Sequence, residues 1–244
     1  MIKKVNGVWG SIALPYNERI LTTDEILYPC ALRSSNKIKG KKILDIGCGT
    51  GHFSHILQKQ GAKVIGIDSS KEMINIAKNN YPSIKFYNLS VENLNRLEDS
   101  NFDYVIAIMV FLCFNNKDKI NLSLRKINKK LRKNGELIII DLHPCAKRSF
   151  KTEIVKQKFP EKSYFKSGIP FETILTNETG KSMTFFNYNW TLEDYFNLLK
   201  KSNFIISELK ELKPSKKSIA KYPSLKPFFE IPQYLLIKAK KNII

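Results

Sequence analysis

The sequence has no apolar run approaching the roughly 18 residues a membrane-spanning helix needs, so no membrane segment is expected. Its first residues carry charge with no apolar stretch behind them, so no secretory signal is expected either. The four cysteines, Cys30, Cys48, Cys113 and Cys145, are scattered without a C-x-x-C pair. That spacing suggests neither a zinc site nor a disulfide framework, and reduced thiols in a cytoplasmic protein are the simplest expectation. The three histidines, His52, His55 and His143, are too dispersed to form a metal site. There is no arginine-rich segment, internal repeat or low-complexity tail.

Acidic residues are also scarce: 22 Asp and Glu stand against 41 Lys and Arg, a net charge of +19. Such a balance attracts nucleic acid or other polyanions. It equally fits a compositional bias in a chain also rich in Asn and Ile. The lysines are spread thinly, with denser runs over residues 126–133 and 210–226. Nucleic acid therefore stays open as a partner, behind a small molecule.

What is present is a chain of 244 residues with 43% hydrophobic content, enough to bury a real core in one domain. Its centre is the stretch from Lys42 to Phe53. A short apolar run (Ile43, Leu44, Ile46) stops at Gly47, Gly49 and Gly51, and Phe53, Ile56 and Leu57 follow at helical spacing. This reads as strand, tight turn, helix. Glycines accept positive φ and let backbone approach a ligand, and the free N–H groups of a helix start attract negative charge. A parallel α/β sheet binds ligands at the carboxyl ends of its strands, so a nucleotide-like ligand is expected over residues 45–52.

Residues 1–40 precede this strand and read as short helices and turns covering the sheet edge or the ligand. Strands are expected at 41–46, 62–68, 84–88, 102–109 and 136–141, the fourth a near-continuous apolar run as a central buried strand should be. Helices are expected at 51–60, from 69 onward behind a serine cap, and at 117–133, the last stopped by Asn134-Gly135. Residues 142–190 break the alternation. Two β-rich pieces, 171–175 and 182–188, flank a hairpin turn at 177–180, and the segment reads as an insertion forming a substrate-side wall. A capped helix from Thr191 and strands at 204–209 and 234–239 close the chain, with a basic loop between them.

Asp68 ends the second strand, 23 residues after Asp45. A carboxylate there can accept hydrogen bonds from ribose hydroxyls, which points to an adenosine-bearing ligand. The segments Ile43–Gly51, Ile65–Ser70, Phe102–Val105 and Leu131–Leu137 together resemble the class I S-adenosylmethionine-dependent methyltransferases over residues 40–141, and the tail from Trp190 resembles that of small-molecule members. The resemblance implies a Rossmann-like, seven-stranded, mostly parallel sheet with an antiparallel last strand, flanked by helices. To this it adds the N-terminal cover (1–40) and the β-rich insertion after the fifth strand (142–190), around a cofactor-binding core (41–141) and a C-terminal part (191–244).

The resemblance also implies roles by position. Gly47, Gly49 and Gly51 would line the methionine part of S-adenosylmethionine, and Asp45 would sit beneath them near the amino group. Asp68 would hold the ribose with Ser69 beside it, and Met73 would pack near the adenine. Ser90, Val91 and Glu92 would border that ring; Ser90 stands where many relatives have Asp. Ile108 and Met109 would offer backbone near the cofactor's amino group. Tyr16, in the N-terminal cover, would close the site, with Tyr28 and Arg33 as further candidates there.

The expected reaction is direct in-line methyl transfer to an oxygen or nitrogen of a small molecule. RNA methylation and a cofactor-binding module without transfer are the alternatives. His143, following the fifth strand in Asp141-Leu142-His143-Pro144, is the candidate base, since an ordinary histidine titrates near neutrality.

Overall fold

The computed structural model of the chain describes residues 20–145, 152–158 and 164–242. In chain order the strands are β1 (Lys42–Ile46), β2 (Lys63–Asp68), β3 (Lys85–Asn88), β4 (Phe102–Ile108), β5 (Leu131–Leu142), β6 (Val155–Lys158), β7 (Pro170–Thr176), β8 (Ser182–Tyr188), β9 (Phe204–Leu212) and β10 (Tyr234–Lys241). The main α-helices are α1 (Tyr28–Ser34, continuing a π-helical turn at Thr23–Leu27), α2 (His52–Lys59), α3 (Lys71–Asn80), α4 (Lys117–Lys130) and α5 (Leu192–Lys201). Short helices α6 (Lys216–Lys221) and α7 (Pro227–Glu230) complete the set used below.

Seven strands form one sheet in the order β3-β2-β1-β4-β5-β10-β9. β10 runs antiparallel to both neighbours, and the other adjacent pairs are parallel. This is the Rossmann-like arrangement, with the order reversing between β1 and β4. A second sheet, β6-β7-β8, is antiparallel and separate. β1 and β4 sit at the centre because their residues are apolar on both faces, and Ile43, Leu44, Val105 and Ile106 are fully buried. Alternate side chains feed two cores. One holds Ile43, Ile106 and Ile140 with Phe171 and Phe185 of the small sheet. The other holds Leu44, Val105 and Ile139 with Leu124 of α4 and Trp190.

Helix starts follow local chemistry. Ser70 Oγ accepts the Met73 N–H at 3.2 Å to cap α3. Thr191 and Asp194 form a reciprocal capping box on α5.

Three expectations change. α4 ends at Lys130 rather than 133, because Leu131 is already extended and pairs with Phe102. Asn134, at φ 60°, therefore bends the start of β5 instead of closing the helix, and the register with β4 shifts there. The insertion contributes three strands, not two, since β6 pairs along β7. The basic loop before β10 holds α6 and α7. Among the described residues no helix is long and apolar enough to cross a membrane.

Candidate active site

The turn after β1 is held across the sheet to β2. The N–H groups of Gly47 and Cys48 donate to the Ile67 carbonyl at 2.8 and 3.0 Å. The Gly49 N–H donates to Asp68 Oδ2 at 3.0 Å, while Asp68 Oδ1 accepts the Ser70 N–H at 2.9 Å. One carboxylate thus fixes the turn and the entry to α3. Gly51, at φ 83°, is the N-cap of α2, and a Cβ there would sit 2.7 Å from the Phe86 ring. A Cβ on Gly47, at φ 66°, would meet Val110 at 2.6 Å. Both backbone conformation and packing therefore demand glycine.

Beneath the turn lies a cavity of about 370 Å³. β1 contributes Asp45; the turn contributes Gly47, Gly49 and Thr50; the end of β4 contributes Ile108 and Met109. The N-terminal segment closes it with Thr23, Asp24, Leu27 and Tyr28. Tyr28 is kept in place by stacking on Phe53 at 4.7 Å. His52 lines the mouth, its Nε2 3.9 Å from Asp24 and its Nδ1 3.2 Å from the Tyr81 hydroxyl.

Asp45 is buried, and the Ser54 hydroxyl donates to it at 2.6 Å. Burial pushes its carboxyl up to about 7; the Ser54 hydrogen bond opposes this and the nearby Asp68 charge adds to it. Burial likewise raises Asp68, against its backbone hydrogen bonds. Two carboxylates, Asp24 and Asp45, therefore line this cavity in a chain whose net charge is +19. Such a lining suits a cationic ligand, and a sulfonium with an ammonium group fits it.

Of the expected residues, Asp45, Gly47, Gly49, Ile108 and Met109 meet in this cavity. The rest lie outside its lining. Gly51 supports the turn from behind. Asp68 and Ser69 stand at the end of β2, linked to the turn through Gly49. Met73 is buried on α3. Ser90 precedes the 3-10 turn Val91–Arg96, in which Val91 is buried and the Glu92 carbonyl accepts the Lys126 ammonium. Tyr16 lies outside the described residues. Arg33 points elsewhere, with its Nη2 2.9 Å from Cys30 Sγ.

His143 lines neither this cavity nor the one described next. Its Nδ1 accepts the Cys145 N–H at 3.1 Å, and its Nε2 lies 3.2 Å from Glu211 Oε1. Both ring nitrogens are engaged, so this arrangement leaves no lone pair for a base.

A second, smaller cavity of about 30 Å³ adjoins the first, sharing Ile20, Thr23, Leu27 and Met109 with it. Thr173, Leu175, Phe185 and Asn187 form its far wall from β7 and β8, and Leu142 and Tyr234 its floor. Tyr234 is buried, which pushes its hydroxyl up to about 12 against a hydrogen bond with Thr22. No charged side chain lines this cavity among the described residues. Sequence reasoning passed over Thr173 and Asn187. Their signal was a polar residue at the inward phase of an alternating strand.

A family model described as a methyltransferase domain matches residues 37–189, more than half of the chain. The chain belongs to the class I S-adenosylmethionine-dependent methyltransferases. Its cofactor is accordingly S-adenosylmethionine, and it is an enzyme of that family. An uncharacterized protein of Haemophilus influenzae is 30% identical, over 87% of this chain and 86% of its own. The N-demethylindolmycin N-methyltransferase of Streptomyces griseus is 25% identical, over 85% and 84% respectively. The crystal structure of an S-adenosylmethionine-dependent methyltransferase from Mesorhizobium loti superposes with a TM-score of 0.67 at 22% identity, covering 86% of this chain and 96% of that one.

Proposed function

We propose that this methyltransferase acts on an oxygen or nitrogen atom of a small molecule. The observation that carries the reading is the pairing of the two cavities. An acid-lined chamber under the glycine turn adjoins an uncharged one walled by β7 and β8. The curated relative from Streptomyces griseus, whose name states an N-methyl transfer, supports a small-molecule acceptor. The uncharged wall gives no foothold to a phosphate backbone, so the positive charge elsewhere is not needed to explain the site. The scattered spacing of the four cysteines supports our assignment of a reducing, cytoplasmic setting.

In this reading Gly47, Gly49 and Gly51 shape the bed for the methionine part, and Asp45 faces its amino group. The Asp68 carboxylate, already oriented by Gly49 and Ser70, takes the ribose hydroxyls with Ser69 beside it. Met73, Ser90, Val91 and Glu92 border the adenine. Ile108 and Met109 lie where cofactor and acceptor meet. The cofactor supplies an electrophilic methyl group, so the protein's work is alignment and exclusion of water. His143 is assigned to holding the β5–β10 junction, where its backbone N–H donates to the Gln233 carbonyl at 2.8 Å, rather than to proton removal.

The test is transfer of labelled methyl from S-adenosylmethionine into a small-molecule extract and into total RNA, assayed in parallel. Label in the small-molecule fraction, with S-adenosylhomocysteine released in equal amount, is expected. Label confined to RNA would overturn the reading.

A further inference from the structure

The inner face of the small sheet is apolar except along one diagonal. Val155, Phe171, Leu175, Met183 and Phe185 pack into the core beside β5. Between them run Gln157, Thr173 and Asn187, with exposures of 6, 3 and 0%. Gln157 stands opposite Thr173 in the β6–β7 register. Asn187 Nδ2 donates to Thr173 Oγ1 at 2.9 Å. The only donor reaching Asn187 Oδ1 among the described residues is the Cys113 thiol, at 4.0 Å, which is a weak donor at the limit of contact.

Gln157 is further out of balance. Its side-chain nitrogen and oxygen are both buried, and neither has a hydrogen-bond partner among the described residues. Burying an amide in that state costs free energy that a methionine or leucine of similar size would not incur. Gln157 itself lines neither cavity, but it stands beside Thr173 on the same face of the sheet, so a ligand reaching past Thr173 would meet its amide. Thr173 and Asn187 line the small cavity directly, and Met109 lines both cavities, with Ile20, Thr23 and Leu27. The Met109 side chain is unbranched and adaptable, so an entering ring can displace it.

We infer that the Gln157–Thr173–Asn187 stripe is the acceptor-recognition surface. Its ligand is a neutral molecule with an apolar body whose edge carries both a hydrogen-bond donor and an acceptor, as in a lactam or an oxo-substituted heteroaromatic. This rests on the methyl-transfer reading above. A charged acceptor is disfavoured because the described lining holds no counter-ion for it. Gln157 and Asn187 are positioning residues here: they orient the acceptor and take no part in bond making.

The experiment uses the full chain loaded with S-adenosylhomocysteine, whose binding is first measured by calorimetry. Three probes follow: 2-quinolinone, with donor and acceptor; quinoline, with an acceptor only; and quinoline-2-carboxylate, which is charged. We expect 2-quinolinone to bind about tenfold tighter than quinoline, one hydrogen-bonded edge's worth of affinity, and the carboxylate to bind weakest. Gln157→Met should erase that preference while leaving S-adenosylhomocysteine affinity unchanged. It should also raise Tm by about 2–4 °C, since an unsatisfied amide has gone. A purely structural Gln157 would give the opposite Tm shift and an unchanged preference, and either result overturns the inference. So does failure of every probe to bind the loaded protein, or strongest binding of the carboxylate. Gln157→Leu serves the same reading if the methionine variant misfolds. Failure to bind S-adenosylhomocysteine would instead remove the methyl-transfer reading, and this inference with it.

Discussion

The glycine turn and the inner face of the small sheet wall adjacent cavities by opposite means. At the turn, backbone does the work: three glycines at positive φ, cross-bonded to β2 and to Asp68. A Cβ on Gly47 or Gly51 would collide with Val110 or the Phe86 ring. On β7 and β8 the side chains do the work, on a regular ladder that would tolerate many substitutions. Under the proposed roles, the first wall is specific to one ligand and rigid, whereas the second could change its acceptor by changing three or four residues. A family that keeps its cofactor and varies its acceptor is built that way.

The sharpest way to break this contrast is Gly51→Val. A β-branched residue at φ 83° that also overlaps the Phe86 ring at 2.7 Å should cost about 3–5 kcal/mol of folding stability, read by denaturant unfolding. An equally conservative change across the second cavity, Thr173→Val, should cost about 1–2 kcal/mol, because it strands one Asn187 hydrogen bond. If both variants unfold alike, the two walls are not different in kind.

Next in size is Asp68→Ala. If Asp68 holds the ribose as proposed, losing its charge-assisted bonds there, together with the anchor of the Gly49 N–H, should weaken S-adenosylmethionine binding about 100-fold by calorimetry. Unchanged affinity would sink the ribose assignment.

Asp45 supplies a pH signature for the first wall alone. Its folded carboxyl is pushed up to about 7 from an ordinary 3.8, so the free folded protein holds this proton more tightly than the unfolded chain does. The stability it contributes is present in full below pH 4 and is lost as pH rises through 7, by a few kcal/mol. An ammonium beside Asp45 favours the ionised form, so the cofactor-induced rise in Tm should grow between pH 6 and 8. Thermal scans of wild type and Asp45→Asn, with and without S-adenosylmethionine, check this. A pH slope that persists in the asparagine variant would place its origin elsewhere.

The smallest expected effects lie at His143. Glu211→Gln weakens a partner that is 61% exposed, and should cost under about 1 kcal/mol. His143→Ala should lower Tm while turnover stays within a few-fold. Lost turnover at unchanged Tm would restore its reading as a base.

Much of the first wall could be read along the chain, because its determinants are contiguous. Glycines two apart, an apolar run before them and an acid at the end of the next strand are local features, and each has a local physical reason. The mostly parallel seven-stranded sheet was implied by the family resemblance of these same segments, and its strand order, β3-β2-β1-β4-β5-β10-β9, came from the structure. What lay beyond reading was whatever joins distant segments. Thr23, Asp24 and Leu27 enter the cavity only because the π-helical turn folds over the sheet end. His143 looked like a base from its position after β5. Its neighbours Cys145 and Glu211, the latter 68 positions further on, occupy it instead.

The sequence by itself pointed to an adenosine-bearing ligand, and by resemblance to S-adenosylmethionine: backbone conformation at Gly47, Gly49 and Gly51 and the carboxylates of Asp45 and Asp68 are properties of short segments, and short segments carry their own steric rules. Only the tertiary structure decided what forms the proposed acceptor side. There β6, β7 and β8 bring Gln157, Thr173 and Asn187 together across 30 positions, and whether a buried amide finds a partner depends on which strands become neighbours.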